Sequence, residues 1–191
     1  MSSILVACDG SSRRSAEGVV GQGAIAWAWA REDEHWYANG DTVGTNQKAE
    51  LLALMTALLM HPNEHLTIQS DSKYALNVTE SWMWGWQKKG WRKGDGETIV
   101  NKEVVQQIHA LMVSRTKKVD FQWVKGHDKT MANPLNHKAD ELATAVSDKI
   151  RTALANNEPI SSFYTDSKGR SFNEIEHKYV TPLLFNNLSK E

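Results

Sequence analysis

Cysteine is almost missing from this chain: Cys8 is the single one in 191 residues. A lone thiol excludes an intramolecular disulfide and a thiolate metal cluster, and its place inside an apolar run marks it as a small core residue. Long hydrophobic runs are missing too. No apolar stretch reaches the ~18 residues needed to cross a bilayer, and the N-terminus lacks the basic region and apolar run of a secretory signal. These absences predict a soluble, cytoplasmic protein with no membrane partner. There is no internal repeat and no low-complexity segment. The formal net charge of -1 carries no global signature of nucleic-acid binding, so any basic surface has to be local. With 40% hydrophobic residues, the chain can bury a full core and fits one compact domain plus an appendage.

What is present begins with an apolar run, Ile4 to Cys8, that stops at Asp9-Gly10-Ser11. The pattern predicts a buried strand with Asp9 at its tip. Leu66 to Ser70 ends the same way at Asp71, ahead of a short helix over Ser72 to Ser81. Open α/β sheets bind ligands at such strand ends, so the two acids are expected to face one crevice. Between them, Ser11 to Gly21 reads as a polar loop, and Gly23 to Arg31 alternates in the manner of a strand. Trp36-Tyr37-Ala38 follows as the next strand of a three-stranded meander. From Asn46 the apolar period becomes helical, through Ala49, Leu52, Ala53, Met55, Leu59 and Met60, until Pro62 stops it. Glu50 falls near the start of that helix, where the helix dipole favours an acid.

Farther on, Lys102 to Ser114 is an amphipathic helix and Val119 to Val124 is the last strand expected of the sheet. That strand runs into Lys125-Gly126-His127, a turn that exposes an imidazole. Asn136 to Leu154 makes a final helix with Asp140 near its start. The fold class is therefore α/β, a mixed five-stranded sheet of three antiparallel then two parallel strands, flanked by helices. The most unusual composition lies between Trp82 and Lys93. Half of the eight tryptophans sit there beside Lys88, Lys89, Arg92 and Lys93. Some of the indoles are expected to pack on the core. Aromatics interleaved with cations also suit phosphates and bases of a nucleic acid.

Five motifs in order, Asp9-Gly10-Ser11, Thr45 to Leu51, Ser70 to Tyr74, Trp123 to His127 and Asn136 to Ala143, give the chain a close resemblance to ribonuclease HI over roughly Ile4 to Leu154. The resemblance implies a ribonuclease H-like fold and an endonuclease that cuts the RNA strand of an RNA–DNA hybrid, leaving 5′-phosphate and 3′-hydroxyl ends. It implies Asp9, Glu50, Asp71 and Asp140 as metal ligands, and His127 as a group that moves protons or assists product departure. Four crowded carboxylates raise one another's pKa unless cations fill the site. Oxygen ligands suit two Mg²⁺ ions, with Mn²⁺ as a substitute, and such a pair about 3.5–4 Å apart can stabilise both the attacking and the leaving oxygen. By the same resemblance Thr45, Asn46 and Gln47 hold a DNA phosphate and read the minor groove. Either Thr45 or Asn46 would also serve as a helix cap. Trp82, Trp86, Lys88, Lys89, Trp91, Arg92 and Lys93 match the family's basic handle for the DNA strand.

Two places depart from the family pattern. The loop after Asp9 carries Arg13 to Gly18 in place of an Asn-Pro-Gly segment that contacts substrate, leaving backbone groups or the two arginines to substitute. The chain also continues past the catalytic region, 1–155, into an extension, 156–191. There Asn156 to Pro159 reads as a linker, Phe163 to Phe172 as a hairpin, and Ile175, Tyr179 and Val180 as a short amphipathic turn. Packing on its own core, or docking a partner protein or second subunit, are the two readings of this tail; the rest of the chain reads as a monomer. A DNA-cutting recombinase or transposase would share the fold, but usually keeps fewer matched acids and lacks the Trp-Val-Lys-Gly-His turn. A non-catalytic binding module would be expected to have lost an acid.

If the four handle cations each release a counterion from a phosphate, hybrid affinity should fall about a hundredfold between roughly 50 and 200 mM salt. A binding titration that stays flat over that range would remove the handle.

Overall fold

The computed structural model describes residues 2–14, 23–159 and 163–169. Six strands form one sheet: β1 (Ile4–Arg14), β2 (Gly23–Arg31), β3 (Trp36–Gly44), β4 (Leu66–Ser70), β5 (Val119–Trp123) and β6 (Thr165–Asp166). Their spatial order is β5-β4-β1-β2-β3-β6. The first three make the antiparallel meander, and β1, β4 and β5 run parallel. The helices are α1 (Asn46–Met60), α2 (Lys73–Asn77), α3 (Met83–Lys88), α4 (Lys102–Ser114) and α5 (Pro134–Ala155).

Alternation along β2 sorts the two layers. Ile25, Trp27 and Trp29 join Leu51, Leu54 and Leu58 of α1 and Val105 and Ile108 of α4 in the larger core. Ala24, Ala26 and Ala28 turn to the other face and meet Ala143, Val146 and Ile150 of α5. The small side chains let α5 lie close, and at Gly40 a Cβ would collide with Ile150. Such close packing leaves each face little tolerance for added volume.

Several boundaries differ from the sequence expectation for physical reasons. The first strand does not end at Asp9. It pairs with β4 from Ile4 to Cys8, then continues against β2 as far as Arg14. Most of the expected polar loop before residue 15 is therefore strand, and 15–22 lie outside the described residues. The short helix after Asp71 extends through a wide π turn at Val78–Trp82 into α3, which keeps Val78, Thr79 and Met83 buried. Among the described residues the sheet has six strands rather than five, because the outer edge of β3 offers unpaired backbone groups. Thr165 and Asp166 pair there with Ala38 and Tyr37. The Ser167 N–H donates to the Trp36 carbonyl at 3.1 Å, and Tyr164 packs edge-on against Tyr37. Phe172 and the expected turn at Ile175, Tyr179 and Val180 lie outside the described residues.

Thr45 is the cap of α1, its hydroxyl accepting from the Lys48 N–H at 3.2 Å. At the other end Arg115 closes the helix. Its guanidinium donates to the carbonyls of Leu58 (3.2 Å), His61 (2.8 Å) and Glu64 (2.6 Å). Orphan carbonyls at a helix end need such donors, and hydrogen bonds from a charged group are among the stronger ones. Arg115→Ala is expected to lose about 2–3 kcal/mol and lower the thermal midpoint by roughly 5–10 °C, read by circular dichroism.

Candidate active site

Asp9 sits in the middle of β1, one residue beyond the last pair with β4, so the ladder on that side has just ended where its side chain emerges. Its neighbour on the parallel side is the turn after Ser70 that carries Asp71. The crevice at the carboxyl ends of parallel strands thus forms beside a continuous strand, and both acids face it. Asp140, on the second turn of α5, completes the group. Asp9 is 7% exposed, and burial together with the charges of Asp71 and Asp140 raises its pKa from 3.8 to about 9. The Gly10 N–H, 2.9 Å from Asp9 Oδ1, opposes this. Burial raises Asp71 as well, while an Asn136 hydrogen bond and the His127 charge pull it down and Asp140 pushes it up.

Glu50 belongs to the same crevice by electrostatics but has different partners. Being the fifth residue of α1, it lies beyond the first turn, so the dipole role expected from sequence gives way to side-chain contacts. Ser72 donates to its Oε2 at 2.5 Å and Asn46 to its Oε1 at 2.8 Å. Its pKa is raised, chiefly by burial and partly by Asp71, against those two donors. Among the described residues no three His, Cys, Asp or Glu side chains stand gathered as a ready metal-holding cluster. Both Glu50 oxygens are engaged elsewhere. The donor set itself is all carboxylate oxygen, hard and mutually repelling, which is chemistry that a divalent Mg²⁺ or Mn²⁺ would relieve.

Two glycines make the approach possible. A Cβ on Gly10 would run into the α1 backbone at Ala49 and Glu50, and one on Gly126 would strike the Asp71 carboxylate. His127 follows Gly126 with φ 50°, its imidazole 82% exposed and Nδ1 3.6 Å from Asp140 Oδ2. Three supporting residues lie outside the site expected from sequence. Ser72, expected at the start of a short helix, both caps α2 and holds Glu50. Asn136 is 3% exposed, donates to Asp71 and leaves its Oδ1 buried without a partner. Trp123 is half exposed, donates its indole N–H to the Asp71 carbonyl at 3.1 Å, and has the Lys73 ammonium over its ring. The recurrence of Ser after Asp71 and of Asn near the start of a helix was visible; their partners were not.

The remaining candidates are spread along the surface. Asn46 and Gln47 are exposed at the start of α1 beside half-buried Thr45. Trp82 is 44% exposed, with Trp86 at 6.1 Å. Trp91 is half-buried and, like Trp84, meets the His109 ring edge-on. Lys88, Lys89 and Arg92 are exposed, and Lys93 stands 3.8 Å from Glu97. Of the two arginines expected in the loop after Asp9, both at the end of β1, Arg13 is committed to Asp148 of α5 at 2.6 Å, whereas Arg14 is exposed.

The site is thus a buried acidic crevice on a mixed sheet, with an exposed imidazole 3.6 Å from Asp140. Comparisons with known proteins give the family. A family model described as RNase H matches residues 1–148. The ribonuclease H of Tropheryma whipplei is 34% identical over 154 residues, covering 80% of this chain and 89% of that protein. The ribonuclease HI of Streptomyces coelicolor is 31% identical over 163 residues, covering 81% and 67%. The chain belongs to the ribonuclease H family and is an enzyme of that endonuclease class. Its fold is shared by a foamy viral protease-reverse transcriptase solved in complex with an RNA/DNA hybrid. The TM-score is 0.60 at 18% identity, over 76% of this chain and 20% of that one. The same viral protein with double-stranded DNA gives a TM-score of 0.61 over 74% of this chain and 92% of that one. No helix among the described residues is long and apolar enough to cross a membrane.

An acid whose folded pKa lies above its unfolded value holds a proton that the unfolded chain has released. Metal-free protein should therefore lose stability as pH rises from about 4 to about 9, the window set by Asp9. Asp9→Asn removes that penalty. In chelator, its thermal midpoint should exceed that of the natural chain by on the order of 5 °C at pH 9, with the gap closing toward pH 4.

Proposed function

We propose that the chain hydrolyses the RNA strand of RNA–DNA hybrids to 5′-phosphate and 3′-hydroxyl ends, with Asp9, Glu50, Asp71 and Asp140 holding two Mg²⁺ ions that Mn²⁺ can replace. The observation that carries this reading is the burial of Asp9 against Asp71 and Asp140, in a chain whose family acts on nucleic acid. Bound there, the divalent ions would activate the attacking water and stabilise charge on the leaving 3′-oxygen.

The protein's own groups then prepare and finish the step. Ser72 and Asn46 hold the two Glu50 oxygens until substrate arrives. Asn136 donates to Asp71, orienting it and opposing the upward pull of burial on its pKa. His127 directs Nδ1 toward Asp140 and leaves Nε2 free at the solvent side to exchange a proton with the departing product. Thr45, Asn46 and Gln47 lie where α1 begins, close enough in sequence to Glu50 to read the groove beside the cut, where a 2′-hydroxyl separates RNA from DNA. Trp82, Trp86, Trp91, Lys88, Lys89, Arg92 and Lys93 grip the DNA strand away from the cut. Trp82 and the exposed cations supply the contact, and Trp86 and Trp91 give the support.

In this reading residues 1–155 are the catalytic domain of a cytoplasmic monomer. The extension, 156–191, closes the β3 edge with Thr165 and Asp166 and is the part of the chain through which a protein partner would dock. The test is cleavage of a labelled hybrid beside matched duplex DNA and duplex RNA, with Mg²⁺ or excess chelator, for the natural chain and Asp71→Asn. Only the hybrid should be cut, only with metal, and the variant should lose at least about 10³-fold in rate. Hybrid that is bound but uncut with either metal would overturn the reading.

A further inference from the structure

We infer that His137 is a positioning residue for His127, an inference that rests on the catalytic role proposed for His127. The loop from Lys125 to Asn133 that carries His127 has little regular structure, and two of its non-glycine residues, His127 and Met131, take left-handed backbone at φ 50° and 56°. Such conformations persist only where surrounding contacts hold them. Inside the loop, the Asp128 carboxylate accepts from the Thr130 N–H at 3.0 Å and the Thr130 hydroxyl at 2.8 Å, and its carbonyl accepts from the Met131 N–H at 3.2 Å. These bonds shape the loop but do not attach it to the body of the protein.

The attachment comes from α5. His137 Nε2 lies 2.7 Å from the Asp128 carbonyl oxygen. A carbonyl can only accept, so the imidazole is the donor there. His137 and Asp140 are three residues apart on one helix and so share a face. One turn of α5 therefore presents a carboxylate to the His127 ring and an N–H to the backbone of the very next residue. The His127 side chain is 82% exposed and packs against almost nothing, so its distance from Asp140 is set by where its backbone is held. On the far side from Gly126, which lies against Asp71, His137 ties that backbone to α5. Nothing in the helical pattern of α5 asks for an imidazole at this position, which a longer aliphatic or charged residue would fill equally well.

The experiment is steady-state cleavage of a hybrid by the full chain carrying His127→Ala, His137→Ala, His137→Phe, His137→Gln, or both alanines. His127→Ala should slow turnover about tenfold or more. His137→Ala, and His137→Phe which fills the space but cannot donate, should lower kcat about three- to tenfold with KM within about twofold, and His137→Gln, which keeps a donor, should recover most of it. The double variant should be no slower than His127→Ala alone, because the two residues act through one proton-transfer group. Amide exchange read by mass spectrometry should quicken over 125–133 in the alanine and phenylalanine variants and stay unchanged over β1 and β4. Unchanged kcat in His137→Phe, or a double variant slowed by the product of the single effects, would overturn the inference. If His127→Ala alone cuts at the natural rate, it is the role of His127 that fails, and with it this extension of that role.

Discussion

Everything in the site depends on β1 changing company at Cys8. Up to that residue the strand has a parallel neighbour on one side and an antiparallel one on the other; beyond it only the antiparallel ladder to β2 continues. Asp9 is the first residue on the one-sided stretch. The missing ladder opens a crevice, and the surviving one keeps the backbone rigid, so a carboxylate can be buried without being mobile. Asp71 and Asp140 come from elements packed against that same opening. Like charges brought together in a poorly hydrated place repel, and the upward displacement of the Asp9 pKa expresses that cost.

Around this conflict the structure arranges small and polar residues rather than more charge. Gly10 and Gly126 have no side chain where one would block the approach of α1 or crowd Asp71. Ser72 and Asn46 donate to Glu50, and Asn136 and the Trp123 indole tie down the two ends of Asp71. A helix cap, a helix-start asparagine and a strand-end tryptophan thus do local structural duty and also orient acids. Rigid elements carry the acids, and a loop whose Asp128 carbonyl accepts from His137 of α5 carries His127.

The tryptophan-rich segment divides between packed and exposed positions. Trp84 and Trp91 lean on His109 of α4, which fixes the segment to the body. Trp82 and the cations from Lys88 to Arg92 remain at the surface. An indole that packs gives position to one that does not, so the composition needed both kinds.

Sequence alone determined the order of most elements and which acids stand as candidates. Period-two alternation in Gly23–Arg31, the helical period after Asn46 and the five ordered motifs depend only on neighbours along the chain, and the family membership now found rests on the same stretches. It did not reveal that Asp9 lies within a strand, that Glu50 turns to Ser72, that Asn136 reaches Asp71, or that Thr165 and Asp166 join β3. Each of those contacts joins residues far apart in sequence or depends on where a neighbouring strand stops. Partners of that kind are chosen by tertiary packing and by unpaired backbone edges, which no local pattern encodes.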